Sequence, residues 1–202
     1  LYDYQIPIGS LGQYFRKSIS DFKSPYPLLR INNDRFEKNK KLRCGFTWQS
    51  KGAPKSQQKS LNIEQLSDLF EISNIEYFSI QYSADPSEID NLNQKLNNKI
   101  KIPNDLDIFN DIYGLLKFID SCDFIFSTSN TNAHLSAALG KPTFLLLPKG
   151  YGKIWYWEND FNGKNLWYPS IKKFYQKNQG DWSDPISLLK DEIQNYIKLN
   201  SR

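Results

Sequence analysis

Short apolar runs of strand length alternate along this chain with amphipathic stretches of helix length. The runs lack the strict in-and-out alternation of a half-buried strand, so both faces of each strand are expected to be buried. The pattern predicts strands at residues 42–48, 77–81, 100–102, 123–127, 143–147 and 171–175.

The stretches between these strands carry start and stop signals for helices. Asn62, with Gln65 three residues further on, forms a capping-box pattern, and Asp85 followed by Pro86 is a second start signal. Gly140 has the character of a C-terminal cap. Helices are therefore predicted at residues 62–72, 85–96, 112–120 and 132–139, and from residue 183 onward.

This alternation predicts an α/β fold: a doubly wound, mostly parallel Rossmann-like sheet with helices on both faces. The domain is expected to occupy residues 40–202. Residues 1–39 do not show this alternation of strands and helices, because Pro25 and Pro27 interrupt regular structure. We interpret residues 1–39 as a linker or the tail of a preceding domain. The chain starts at Leu1 and contains no Met, which suggests a piece of a longer protein.

Composition and charge exclude several classes of protein. The net charge of the 202 residues is only +4, which argues against nucleic acid as the partner, although Lys-rich stretches at 38–43 and 51–59 keep it as a weak alternative. The longest strongly apolar run, 143–148, is far shorter than the roughly 20 residues of a membrane helix. With no signal segment and two isolated cysteines, Cys44 and Cys122, we expect a cytoplasmic protein without a membrane span or metal site.

A polar bend joins the predicted strand at 123–127 to the helix at 132–139. Ligands of open α/β sheets lie beyond the carboxyl ends of the strands, and the free N–H groups of a helix start bind anions. The same residue types are also the usual N-caps of helices, so capping and phosphate binding both remain open from the spacing. The bend consists of Thr128, Ser129, Asn130, Thr131 and Asn132.

Two further features lie near this bend. His134, the only histidine, falls in the first turn of the following helix, where it would either donate to a phosphate or sugar hydroxyl or simply pack. The basic loop at 149–153 contains Lys149 and Lys153; it would either close over a diphosphate or form a solvated turn. It is not a P-loop, and no GxGxxG or GxSxG pattern supports NAD binding or a hydrolase nucleophile.

The segment STSNTNAHLSAALGKPTFLLLP at residues 127–148 resembles the donor-site region of heptosyltransferase-like, family 9-type glycosyltransferases. It is especially similar to bacterial proteins that carry this domain behind tetratricopeptide repeats. The resemblance extends over about residues 40–190, through CGFTWQSKG, KSL, FSIQ, WYWEND, WYPSIKKF and GDW, and the order of these blocks is more specific than any one of them. It implies one half of a GT-B architecture, the C-terminal domain that holds a nucleotide-diphosphate sugar.

The resemblance also implies roles for single residues. His134 matches the histidine at the start of the donor-binding helix, Lys59 a basic residue near the diphosphate, and Gln81 a strand end beside the nucleotide. The family's Asp-Thr pair falls on Ser129 and Asn130, so a hydroxyl stands where an acidic residue is common. The implied donor-binding set is Lys59, Gln81, Thr128, Ser129, Asn130, Thr131, Asn132, His134, Lys149 and Lys153.

The function that the resemblance implies is the donor-binding half of a glycosyltransferase. It would bind a nucleotide-diphosphate sugar for metal-independent transfer without a cofactor, and the catalytic base would come from an N-terminal domain of the same protein. The acceptor is not indicated, and we expect this chain to bind nucleotide without turnover by itself. The alternative is a degenerate, non-catalytic Rossmann module that acts as a docking or carbohydrate-binding surface, which the hydroxyl at Ser129 favours. A crevice blocked by Trp155 or Tyr151 would favour the module; an open polar crevice would favour the enzyme.

Overall fold

The centre of the protein, in a computed structural model, is a parallel sheet of five strands in the order β2-β1-β3-β4-β7. The structure describes residues 3–7, 10–22, 26–32, 41–51, 56–104, 106–150 and 154–200. The predicted doubly wound, parallel α/β fold is confirmed. The strands of the sheet are β1 (Leu42–Phe46), β2 (Ile75–Ser79), β3 (Phe124–Thr128), β4 (Thr143–Leu147) and β7 (Ile171–Tyr175); β5 (Asp160–Phe161) and β6 (Lys164–Asn165) pair separately and antiparallel.

The helices start where the sequence signals predict. Asn62 and Gln65 form the capping box, with Gln65 Oε1 accepting from the Asn62 N–H at 3.0 Å, and Asp85 accepts from the Ser87 N–H at 2.9 Å. The predicted helix at 62–72 is a 3₁₀ turn that continues into a short α-helix. The α-helices are α1 (Gly12–Phe15), α2 (Ser67–Phe70), α3 (Pro86–Lys95), α4 (Ile112–Ser121), α5 (Thr131–Ala138) and α6 (Ser183–Asn200); 3₁₀ helices span Ile19–Phe22, Ser56–Lys59, Ile63–Leu66 and Trp155–Trp157.

Side chains of the central strands are buried on both faces of the sheet. Along β3, Phe124 and Phe126 belong to the apolar cluster that includes residues of α3 and α6, whereas Ile125 between them belongs to the cluster that includes residues of α4. All three side chains are fully buried. Each such burial contributes about 1.5–3 kcal/mol, so the alternating sides of β3 tie the two helical layers to one sheet.

The predicted strand at 100–102 is wrong. The segment makes only one isolated bridge, between Phe78 and Lys101. In this bridge the Lys101 N–H donates to the Tyr77 carbonyl at 2.8 Å, and the Lys101 carbonyl accepts from the Ser79 N–H at 2.9 Å. The backbone groups of Ile100 point away from β2 and bond to the Asn93 side chain, at 2.8 and 2.9 Å. Pro103 then offers no donor to extend a ladder.

Residues 26–32 pack against the C-terminal end of α5. The Tyr26 hydroxyl donates to the Ala137 carbonyl at 2.7 Å, and the Leu29 N–H donates to the Ala138 carbonyl at 2.9 Å. Residues 33–40 lie outside the described residues, and the division of the chain into 1–39 and 40–202 stays a prediction.

Two further observations concern the described part of the chain as a whole. None of its helices combines the length and the apolar character that a membrane crossing requires. Within the same ranges, no group of three or more His, Cys, Asp or Glu residues is placed to hold a metal ion, and the buried Cys44 and Cys122 are both free thiols.

Candidate functional site

The strand order places a crevice between β1 and β3. The chain winds outward from β1 to β2 on one side and from β3 to β4 and β7 on the other, so the strand order reverses between β1 and β3. In open parallel sheets, ligands bind beyond the carboxyl ends of the strands at this reversal. The polar bend after β3 therefore lies at the expected place.

A cavity of about 410 Å³ opens at this point, and its lining has two chemically different parts. The polar end is formed by Lys59 and the polar bend, and the apolar end by Tyr82, Phe109, Ile112 and Leu115. The Lys51 ammonium donates to the Ser83 carbonyl, directly after Tyr82. Among the described residues that line the cavity there is no Asp or Glu, so its fixed charge is positive. The lining consists of Gln49, Ser50, Lys51, Lys59, Gln81, Tyr82, Ile108, Phe109, Ile112, Leu115, Ser129, Asn130, Thr131, Asn132, His134 and Ile154.

At the polar end of the cavity, Lys59 is a largely buried lysine. It ends the 3₁₀ helix Ser56–Lys59 and is only 9% exposed, yet its ammonium has no ion pair or hydrogen bond within the described ranges. Burial lowers the pKa of this ammonium below its usual 10.5. A desolvated cation that faces a cavity without a counter-charge is poised to bind an anion.

Ser60 and Leu61 hold this lysine in place. The Ser60 hydroxyl donates to the Ser56 carbonyl at 2.9 Å and accepts from the Ser50 N–H at 3.0 Å. The Leu61 N–H donates to the Trp48 carbonyl at 2.9 Å. The segment that carries Lys59 is thereby fastened to the chain just after β1.

Asn130 is the N-cap of α5 and also a brace across the crevice. Its Oδ1 accepts from the N–H groups of Asn132 and Ala133, at 3.0 and 3.4 Å. Its Nδ2 donates to Thr47 Oγ1 at 2.8 Å and to the Gln49 carbonyl at 3.2 Å. The side chain therefore joins the ends of β1 and β3 while it caps the helix.

The cap narrows the set of backbone donors that are available to an anion. The N–H groups of Asn132 and Ala133 are satisfied by Asn130, whereas those of Asn130 and Thr131 have no acceptor among the described residues. The positive end of the α5 dipole lies at the same place. An anion would therefore meet the N–H groups of Asn130 and Thr131 rather than those of Asn132 and Ala133.

Gln81 and Asn132 line the cavity, and part of each side chain is already used to hold its wall. Gln81 Oε1 accepts from the N–H groups of Trp48 and Gln49, at 3.0 and 2.8 Å, and Asn132 Nδ2 donates to the Ile80 carbonyl at 2.7 Å. These bonds join the ends of β1 and β2 to the start of α5, so both residues fix the shape of the site.

The remaining predicted site residues lie in three different situations. Thr128 is fully buried and does not line the cavity, and its hydroxyl oxygen has no hydrogen-bond partner within the described chain. Lys149 is exposed and does not line the cavity; its N–H donates to Gln176 Oε1 at 3.1 Å. Lys153 lies outside the described residues. The ligand roles of all of these residues stay predictions.

His134 lies in an aromatic cage at the wall of the cavity. Its ring stacks on Trp157 with 4.4 Å between centroids and 29° between planes, and Nδ1 lies 3.1 Å from the Tyr168 hydroxyl. The buried Trp157 indole in turn donates to Ser129 Oγ at 2.9 Å. Burial, and then the charge of Lys59, lowers the pKa of His134 below 6.5, which favours the neutral imidazole.

The apolar end of the cavity escaped the sequence analysis. Tyr82 and Phe109 stack with 5.1 Å between centroids and 20° between planes, and Ile112 and Leu115 of α4 line the same cavity. The position of Tyr82, directly after the predicted strand at 77–81, was a usable signal. Ile112 and Leu115 had no such signal in the sequence, because an apolar helix face shows the same pattern whether it packs on the core or contacts a ligand.

The fold is similar to that of two E. coli glycosyltransferase structures. The structure described as E. coli heptosyltransferase WaaC with ADP has a TM-score of 0.51 and 14% identity, over 81% of this chain and 46% of that one. E. coli ADP-heptose lps heptosyltransferase II has a TM-score of 0.55 and 14% identity, over 98% of this chain and 54% of that one. The fold of this chain is heptosyltransferase-like.

The likeness has definite limits. The chain spans about half the length of these two structures, and at 14% identity the comparison establishes the fold. It confirms the expected half of a GT-B architecture. No protein-family model and no curated protein matches the chain. The association with tetratricopeptide repeats stays a prediction.

Proposed function

We propose that this chain is the donor-binding half of a glycosyltransferase and that the crevice holds the diphosphate of a nucleotide sugar. The observation that carries the proposal is Lys59, a largely buried lysine at the cavity wall whose ammonium has no ion pair or hydrogen bond among the described residues. An isolated buried charge is unfavourable, and a diphosphate would supply the missing counter-charge. The unused N–H groups of Asn130 and Thr131 would add donors at the positive end of α5.

The two ends of the cavity fit the two ends of a nucleoside diphosphate. The stacked rings of Tyr82 and Phe109 offer a flat apolar surface to a base, and the lysine end would receive the phosphates. The solved WaaC structure is described with ADP, so adenine is the first base to test.

In glycosyl transfer the diphosphate is the leaving group, and negative charge builds up on it in the transition state. Lys59 and the amide groups at the start of α5 would stabilise that charge without rearrangement, because the bonds of Ser60 and Asn130 already hold them in place. We propose that this stabilisation serves in place of a metal. We propose that the acceptor site and the general base belong to another domain of the protein, and we propose no residue of this chain as the base.

A non-catalytic module remains the second candidate because of Ser129. The hydroxyl of this residue accepts the Trp157 indole proton, so the position lacks a carboxylate and one of the two acceptor sites of the hydroxyl is already used. The position of Trp155 argues against the non-catalytic module, because Trp155 does not block the crevice. It packs on Tyr156 and Trp167 and does not line the cavity. Tyr151 lies outside the described residues.

Calorimetric titration of the purified chain with ADP tests the proposal. We expect saturable binding in the wild type and a loss of affinity of about 10- to 100-fold in Lys59→Met, the effect of one charge-assisted hydrogen bond. No binding at millimolar ADP would overturn the donor proposal. It would leave the non-catalytic docking module as the better account.

Lys190→Met is the matched control, because it removes the same charge from α6, where Lys190 lies 3.7 Å from Asp68 and does not line the cavity. Its affinity for ADP should equal that of the wild type. Urea unfolding should show that Lys59→Met is at least as stable as the wild type, since an apolar side chain replaces an unpaired buried charge. Equal losses of affinity in both variants would point to net charge rather than to the site.

A further inference from the structure

The single histidine is held from two directions by residues of the segment after β4. Trp157 covers one face of the His134 ring, and the Tyr168 hydroxyl lies 3.1 Å from Nδ1. Tyr156 meets the ring edge-on, with 5.8 Å between centroids and 88° between planes. Since Nδ1 is engaged by Tyr168, Nε2 is the ring nitrogen left for a ligand in the cavity.

The hydrogen-bonding capacity of Tyr168 decides which ring nitrogen carries the proton. A neutral imidazole has one N–H and one acceptor nitrogen. The Tyr168 hydroxyl has no protein acceptor other than Nδ1 among the described residues, so within this part of the chain its proton is satisfied by donating to Nδ1. That arrangement leaves the imidazole proton on Nε2. The opposite tautomer would leave the phenol proton of Tyr168 without a partner among the described residues, so that it could bond only to solvent.

We propose that Tyr168 is a positioning residue that holds His134 as the Nε2–H tautomer, so that the histidine presents a neutral donor to an anion in the cavity. Trp157 fixes the ring plane and is itself tied to the bend through Ser129. A neutral donor suits this place, because a second cation beside Lys59 would be repelled. The donor role rests on the proposed function, whereas the tautomer assignment does not.

Nuclear magnetic resonance of the ¹⁵N-histidine-labelled chain tests the tautomer directly, because only His134 contributes signals. At pH 8 we expect the Nε2 shift of a protonated ring nitrogen and the Nδ1 shift of an unprotonated, hydrogen-bonded one. In Tyr168→Phe the Nδ1 shift should lose its hydrogen-bond displacement and the Nε2–H population should fall. A protonated Nδ1 in the wild type, or unchanged shifts in Tyr168→Phe, would overturn the assignment.

Tyr156→Phe is the matched control, since it removes a phenol oxygen beside the same ring where no hydrogen bond to His134 exists. Its histidine shifts should match those of the wild type. In ADP titrations, Tyr168→Phe should weaken binding by roughly twofold to tenfold, the effect of one neutral hydrogen bond, and Tyr156→Phe should not. Equal affinity in wild type and Tyr168→Phe would refute the donor role, as would a wild type that binds no ADP; in that case the tautomer result would still stand.

Discussion

At the residue scale, Lys59 and His134 share one property: burial disfavours the charged form of each side chain. The pKa of both groups is lowered, and for His134 the charge of Lys59 adds to the effect of burial. Folding therefore creates a site in which Lys59 has no counter-charge among the described residues and His134 is kept neutral, which lowers stability and favours the binding of an anion. Side chains in a crevice whose pKa values are shifted in this way are typical of functional sites.

The lowered pKa of His134 makes stability depend on pH in a predictable window. The unfolded chain takes up a proton near pH 6.5, but the folded chain does so only at lower pH. The stability that neutral His134 contributes is therefore complete above pH 6.5 and is lost as the pH falls from 6.5 toward the folded pKa. The slope for one proton is at most about 1.4 kcal/mol per pH unit. Thermal unfolding between pH 7.5 and 5 should show this slope in the wild type.

His134→Gln should remove that slope, whatever its effect on stability at pH 7.5. Among the described residues, the titratable groups that face His134 are Lys59, Tyr156 and Tyr168, and residues of these types do not normally titrate between pH 5 and 7.5. Carboxyl groups whose pKa is lowered below 3.8, such as those of Asp85 and Asp107, act at still lower pH. The same slope in wild type and variant would show that His134 titrates alike in both states.

At the element scale, the sequence predicted local structure well and long-range roles poorly. The cap at Asn62 and the continuous apolar strand β4 follow from neighbouring residues, so they could be predicted. The bend before α5 was located, but the partner of Asn130 Nδ2 is Thr47, 83 positions away, and no local pattern encodes that bond. The strand expected at 100–102 failed for a local reason, because Pro103 has no N–H group to continue the pairing with β2 beyond Lys101.

The double role of Asn130 can be separated with two substitutions. Asn130→Asp keeps the oxygen that caps α5 but loses the donor to Thr47 and Gln49, and it places a negative charge where the phosphates would lie. We expect stability within about 1 kcal/mol of the wild type, because a carboxylate also suits a helix start, together with greatly weakened ADP binding. Asn130→Ala loses both roles and should cost about 2 kcal/mol.

Asn62→Ala is the control for capping alone, because it removes an N-cap that does not line the cavity. It should cost about 1 kcal/mol in urea unfolding and leave the affinity for ADP unchanged. If Asn130→Asp bound ADP as tightly as the wild type does, the phosphates would not lie at the start of α5.

At the scale of the whole molecule, the reversal of strand order determines where the parts of the site meet. β1 contributes the lysine-bearing segment, β3 the polar bend and α5, and the residues after β2 the aromatic wall. The parts come from distant stretches of sequence, and the sheet brings them to one edge. A ligand that touches all of them should therefore stabilise the fold as a unit.

Thermal unfolding with a series of adenine compounds tests this coupling. A ligand that binds only the folded state adds about 2.7 kcal/mol at 100 times its Kd, which for a chain of this size raises Tm by roughly 5–10 °C. ADP should give this shift, whereas adenosine at equal concentration should give almost none, because it reaches the Tyr82–Phe109 wall but leaves Lys59 without a counter-charge. Lys59→Met should remove most of the difference between the two compounds. Equal shifts from ADP and adenosine in the wild type would mean that the base alone is bound and that the lysine end of the cavity is not a phosphate site.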